Sequence, residues 1–109
     1  MTILEVDTRE QEGAVHLALI GELDLSTVEK VEEELRKVED GGAETVVLDL
    51  TSLSFLDSTG LRTIVTADQR ARKSGRRLAI VKGPDTVHRV FTITRLDERL
   101  DMVEGADDL

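Results

Sequence analysis

Apolar and polar positions along this chain follow two different periods, and the switches between them mark out its elements. Ile3 to Val6 is short and apolar and predicts a first strand. The polar stretch Thr8 to Gly13, holding Glu, Gln and Gly, predicts a turn. Val15, Leu17 and Leu19 then fall on one face of a second strand, Ala14 to Ile20, and the two strands read as a hairpin. Gly21 to Leu25 crosses into a helix. Ser26 and Glu29 have the spacing of a capping box, with Ser26 as N-cap. Val28, Val31, Leu35 and Val38 repeat at steps of three and four, which is one buried helix face. Glu32, Glu33, Glu34, Arg36 and Lys37 lie between them and should face water, and Gly41-Gly42 ends the helix.

Thr45 to Leu50 lacks polar alternation, so it reads as a central strand buried on both faces. A second helix starts near Ser58, with Leu61, Ile64, Val65 and Ala71 as its inner stripe. Leu78 to Val81 is another buried strand. Gly83-Pro84 opens a third helix, Pro84 suiting its first turn, with Val87, Val90 and Phe91 inward. Ile93 to Met102 is mixed, a short helical or extended finish, and an acidic tail from about residue 104 is expected to fray. The order of two strands, helix, strand, helix, strand, helix predicts a single α/β domain over residues 1–109, a mixed β-sheet with helices packed against it.

Composition narrows the function. The 109 residues suit one core, and 39% hydrophobic content is enough to build it. Only Phe55 and Phe91 are aromatic, so no stacking platform for single-stranded nucleic acid is available. A formal net charge of −9 disfavours polyanionic partners, both nucleic acid and anionic lipid. The absence of cysteine removes disulfides, thiolate metal sites and cysteine nucleophiles, in keeping with a cytoplasmic setting. Met1 to Asp7 lacks the basic and long apolar regions of a signal peptide, and no stretch has the apolar length of a membrane span.

The candidate chemistry sits in Phe55-Leu56-Asp57-Ser58-Thr59-Gly60-Leu61, where a strand side hands over to a helix. The N–H groups at a helix start are unpaired and carry partial positive charge, so an anion such as phosphate is tolerated there. Two roles stay open for Asp57 and Ser58: ordinary N-caps, or, for Ser58, a phosphoacceptor. Other chemistry is poorly provided for. His16 and His88 stand alone without metal-ligand spacing. Ser58 lacks a Gly-x-Ser-x-Gly elbow, and Gly41-Gly42 and Gly60 lack Walker spacing. Asp49 and Lys82 suggest a receiver domain, but the acidic pair that would hold its divalent cation is missing. The basic cluster Arg70, Arg72, Lys73, Arg76 and Arg77 either complements a helix C-terminus or offers a docking edge to an acidic segment.

Taken together, Gly21-Glu22-Leu23-Asp24, Val46 to Leu50, the run Phe55 to Leu61 and the stretch Val87 to Leu96 resemble the STAS domain, specifically the stand-alone bacterial anti-sigma factor antagonists, over about residues 3 to 103. The resemblance implies a STAS-like fold and a binding switch rather than an enzyme, with no cofactor and no metal. It implies that the unphosphorylated form binds an anti-sigma factor with a GHKL-type serine kinase fold and releases the sigma factor. Phosphorylation would fall on Ser58, with Thr59 as secondary candidate, and a PPM-type serine phosphatase would reverse it. Asp24, Asp57, Ser58, Thr59, Gly60, Leu61 and Arg62 would form the partner surface, on a monomer or weak dimer that neither inserts into membranes nor binds nucleic acid directly. The alternative within the same family is a non-switching subunit of a lipid-transport ABC system or a stress-signalling scaffold.

Overall fold

The computed structural model describes residues 3–109. Six strands form one mixed sheet: β1 (Leu4–Gln11), β2 (Ala14–Leu23), β3 (Thr45–Asp49), β4 (Leu53–Leu56), β5 (Arg77–Val81) and β6 (Asp101–Val103). Three helices connect them: α1 (Val28–Asp40), α2 (Ser58–Lys73) and α3 (Asp85–Ile93). The spatial order is β1-β2-β3-β5-β6, with β4 also paired to β2. The β1–β2 pair is antiparallel and every other pair is parallel.

The crossovers run in the same direction across the sheet, from β2 to β3 through α1, from β3 to β5 through β4 and α2, and from β5 to β6 through α3. All three helices pack on one face, where Leu17, Leu19, Val46, Leu48, Leu78 and Ile80 meet Val31, Leu35, Ile64, Val87 and Phe91 in a single core. The crossovers therefore share one hand, as twisted parallel strands require. The opposite face carries a smaller apolar cluster of Ala14, Val47, Val81 and Val103. The C-terminal turn Ala106–Asp108 borders a cavity of about 440 Å³ on that face, beside Ala14, His16, Thr45 and Arg77. Lys82 ties the tail down through Glu104 at 2.6 Å, and this hydrogen bond holds the Glu104 carboxyl below its ordinary range.

Several elements differ from the sequence reading, each for a physical reason. β1 runs on to Gln11, and the turn is only Glu12-Gly13. Thr8 to Gln11 are polar because β1 is an edge strand with exposed residues there, not because the chain turns. Strand β4 was not expected at all. It is four residues long with only its ends buried, so it shows no alternation, and it exists because the C-terminal half of β2 offers it an edge.

The capping box at Ser26 and Glu29 does not form. Asp24 Oδ1 accepts from both the N–H and the hydroxyl of Ser26, at 2.9 and 2.7 Å, so α1 starts one residue later than that box implies, behind Thr27. Pro84 sits at the N-cap of α3 rather than in its first turn. Val65 is only half buried, because the inner line of α2 runs Gly60, Ile64, Ala67, Ala71. The mixed finish contains both elements, a 3-10 turn at Leu96–Glu98 and then β6.

Candidate functional site

Parallel pairing places the candidate site. β2 and β4 run side by side in one direction, with Glu22 opposite Phe55 and Leu23 opposite Leu56. The chain leaves both strands at the same end of the sheet. It enters α1 from β2 and α2 from β4, so the two helix starts lie next to each other. This brings Asp24 and Ser58, 34 positions apart in sequence, onto one rim.

Asp57 stitches that rim together. Its backbone is extended, and Oδ1 accepts from the Gly60 N–H at 2.9 Å, a regular N-cap bond. Oδ2 accepts from the Leu25 N–H at 3.2 Å, and the Asp57 N–H donates to the Leu23 carbonyl at 3.2 Å. One carboxylate thus caps α2 and holds the β2–α1 crossing. Replacing Asp57 by Ala strips both N–H groups of their acceptor, and the expected loss is about 1–2 kcal/mol of stability, read as a lower urea midpoint. A midpoint unchanged from wild type would show the cap to be dispensable.

Gly60 explains how close α2 comes. A Cβ on it would stand 2.8 Å from Leu23 Cγ, 2.8 Å from Leu56 Cδ1 and 3.0 Å from the Leu23 carbonyl oxygen. Only glycine lets the helix start sit down on the β2–β4 pair.

With Asp57 as cap, Ser58 has no capping duty. It is the first helical residue, is exposed, and its hydroxyl forms no hydrogen bond among the described residues. Thr59 is half buried, and its carbonyl accepts from the Thr63 hydroxyl at 3.2 Å. Leu61 packs against the core, whereas Arg62 is exposed. Asp24 faces the start of α1. Besides its bonds to Ser26, its N–H donates to Thr27 Oγ1 at 3.0 Å, and that hydroxyl donates on to the Glu22 carbonyl at 2.9 Å. The seven residues proposed from sequence therefore do converge, though Gly60 and Leu61 serve the packing beneath the rim more than its surface.

Sequence reasoning missed two residues beside them. Leu25 is 75% exposed and Phe55 is 47% exposed, both within three residues of Asp24 or Ser58. They give the rim exposed apolar area beside its polar groups. Leu25 had a sequence signal, an apolar residue in a polar crossing. Phe55 had one too, as one of only two aromatics.

The remaining candidates resolve differently. No group of three or more His, Asp or Glu side chains suited to a metal occurs among the described residues. Lys82 pairs with Glu104, while Asp49 accepts from the Thr51 N–H, so the receiver-like pair is not assembled. His88 stacks on Phe91 at 6.2 Å between centroids, with a buried Nδ1 that lacks a partner among the described residues. The basic cluster is largely spent internally. Arg70 grips Glu39 through two bonds of 3.0 and 2.9 Å, Arg72 holds the buried Asp68 at 2.9 Å, and Arg77 meets Asp101 at 2.7 Å. The Glu39 hydrogen bond raises the Arg70 pKa above its ordinary value, outweighing burial. No helix among the described residues is long and apolar enough to cross a membrane.

The fold and this rim define a class. A model of the STAS domain matches residues 5–108, and the chain belongs to the STAS domain family. An anti-sigma-B factor antagonist of Staphylococcus aureus is 30% identical to it over 104 residues, 95% of this chain and 96% of that protein. Among solved structures, an anti-sigma factor antagonist from Mycobacterium paratuberculosis is similar with a TM-score of 0.89 at 22% identity, covering 97% of this chain and 90% of that one. The Bacillus cell fate determinant SpoIIAA in its phosphorylated form is similar with a TM-score of 0.71 at 21% identity, covering 96% and 95%. At these identities the two structures speak for the fold.

Proposed function

We propose that this protein is an anti-sigma factor antagonist whose binding is switched off by phosphorylation of Ser58. The observation that carries the reading is the division of labour at the start of α2. Asp57 supplies the cap, which leaves the Ser58 hydroxyl exposed and without a hydrogen bond among the described residues. The reading is supported by whole-length similarity to a protein named anti-sigma-B factor antagonist.

In this reading the unphosphorylated rim docks on an anti-sigma factor and so releases the sigma factor. That partner is itself a serine kinase of GHKL type, acting in the cytoplasm, and a PPM-type phosphatase restores the serine. Thr59 is the weaker acceptor, because it is half buried. A phosphate adds about −1.5 to −2 charge at neutral pH, beside Asp57 and Asp24. Docking would have to desolvate that charge, and each loss of about 1.4 kcal/mol is tenfold in affinity.

The direct test is incubation with ATP and the anti-sigma factor from the same host, followed by mass spectrometry. Phosphate on Ser58 is the expected product. A stable complex with no phosphate on residue 58 would remove the switch and leave only the binding role.

Leu25 and Phe55 give the apolar part of the docking surface. Leu25→Ser and Phe55→Ser should each weaken the complex about tenfold, as exposed apolar anchors do when they become buried in an interface. The Leu25→Ser thermal midpoint should stay near wild type, since that side chain is 75% exposed, whereas Phe55→Ser should also lower the midpoint by a few degrees, since Phe55 is 47% exposed and sits in β4. Titration calorimetry beside a thermal melt reads both quantities, and undiminished binding by both variants would place the interface elsewhere.

A further inference from the structure

Arg62 lies four residues after Ser58 on α2, and its side chain is exposed. Residues i and i+4 of a helix are neighbours on one face, with Cβ atoms about 5–6 Å apart. The Arg62 guanidinium makes no ion pair or hydrogen bond among the described residues. In this it differs from Arg70 and Arg72 further along the same helix, which are each committed to a carboxylate. It lines a cleft of about 200 Å³ between α1 and α2, with Thr59, Thr63 and Thr66 from its own helix and Glu32 from α1. Glu32 forms no ion pair with it.

Resting on the reading of Ser58 as phosphoacceptor, we propose that Arg62 is the residue that captures the phosphate. Its guanidinium swings out of the α1–α2 cleft to bind the phosphate one turn back. Arginine suits this task because its planar donors match phosphate oxygens two at a time. The phosphate is added to a rim that already carries Asp57, held by the Gly60 and Leu25 N–H groups, and Asp24, held by Ser26, while Glu32 shares the cleft with Arg62. The helix start favours the dianion but the neighbouring carboxylates oppose it, and Arg62 offsets that repulsion by side-chain rotation alone. Capture also has a second consequence. A cation available to a carboxylate of the docking partner in the unmodified protein becomes bound internally once Ser58 carries phosphate. The switch then acts by adding charge and by withdrawing a contact at once.

The test uses full-length protein with phosphoserine encoded at position 58, so that no kinase is required. Titration followed by phosphorus NMR reads the second pKa of the phosphate. Arg62 favours the dianion, so Arg62→Gln should raise that pKa by about half a unit, and Arg62→Lys should recover part of the shift. A value identical in wild type and Arg62→Gln overturns the proposal. Unmodified Arg62→Gln should melt with wild type, which separates capture from a folding defect. In a second arm, the ratio of partner affinities without and with phosphate should fall several-fold in Arg62→Gln; an unchanged ratio also counts against capture. Failure of unmodified wild type to bind any anti-sigma factor would instead strike the proposed function, and the NMR result would stand apart from it.

Discussion

Ser58→Glu should lose about 100-fold in affinity for the anti-sigma factor while keeping a thermal midpoint within a few degrees of wild type. The two halves of this expectation come from different parts of the structure. The fold tolerates the charge because Ser58 is exposed, its hydroxyl makes no bond that the change would break among the described residues, and a carboxylate in the first turn of a helix is favourable. The complex does not tolerate it, because the rim already carries Asp57 and Asp24. Burying a further negative charge against the docking partner, beside these two carboxylates, costs about 2–3 kcal/mol, which is one to two powers of ten in affinity. Ser58→Ala supplies the control. It should bind as wild type does, since no hydrogen bond is removed, and it should never switch off. Isothermal titration with the three proteins, beside thermal melts, decides the matter. Equal affinities for wild type and Ser58→Glu would return Ser58 to an ordinary surface position.

How much of this was legible in the sequence depends on how local each feature is. The stripe Val28, Val31, Leu35 and Val38 predicted the buried face of α1, because helix periodicity needs no information from elsewhere in the chain. The unbroken apolar run of β3 was equally plain, since Val46, Val47 and Leu48 are buried against both faces of the sheet. β4 was not legible, because a four-residue strand is defined by the neighbour it pairs with rather than by its own pattern. The site divides in the same way. Asp57 and Ser58 are adjacent and could be named from sequence, but which of them caps the helix is a matter of side-chain direction. The Asp57 bond to Leu25 spans 32 positions and depends on the β2–β4 pairing. The exposure of Leu25 and Phe55 depends on the same pairing, so two exposed apolar residues escaped a reading that found their polar neighbours. Ser26 shows the opposite failure. Its capping-box spacing was correct as a pattern, but Asp24, two residues earlier, bound it first.

Gly60 is where the fold and the rim depend on one another, and substitution there should be the most damaging single change at this end of the molecule. Gly60→Ala gains about 1 kcal/mol of helix propensity, since alanine is the better helix former. Against that, its methyl group must displace Leu23 Cγ and Leu56 Cδ1 and press toward the Leu23 carbonyl oxygen. The two leucine side chains have some room to rotate. The carbonyl does not, because Leu23 is in register with Leu56 and also accepts the Asp57 N–H. Overpacking of this kind costs about 1–3 kcal/mol, so Gly60→Ala should lose up to about 2 kcal/mol net. Gly60→Val adds two more methyl groups and a β-branched side chain, and should lose about 3 kcal/mol or more. Relief comes only by lifting the first turn of α2 away from the β2–β4 pair. That movement draws Asp57 off the Leu25 N–H and shifts Ser58 relative to Asp24. Gly60→Ala should therefore bind the partner more weakly even under conditions where it is fully folded, unlike a destabilising substitution in the distant core. Urea unfolding of both variants gives the stability order, and hydrogen exchange at the Leu25 N–H reports whether the stitch has loosened. If Gly60→Val is as stable as wild type, α2 does not sit as close to the sheet as this geometry requires. If Gly60→Ala loses stability yet keeps both its Leu25 protection and its affinity, the rim is held by Asp57 alone, and the close approach at Gly60 serves only the core.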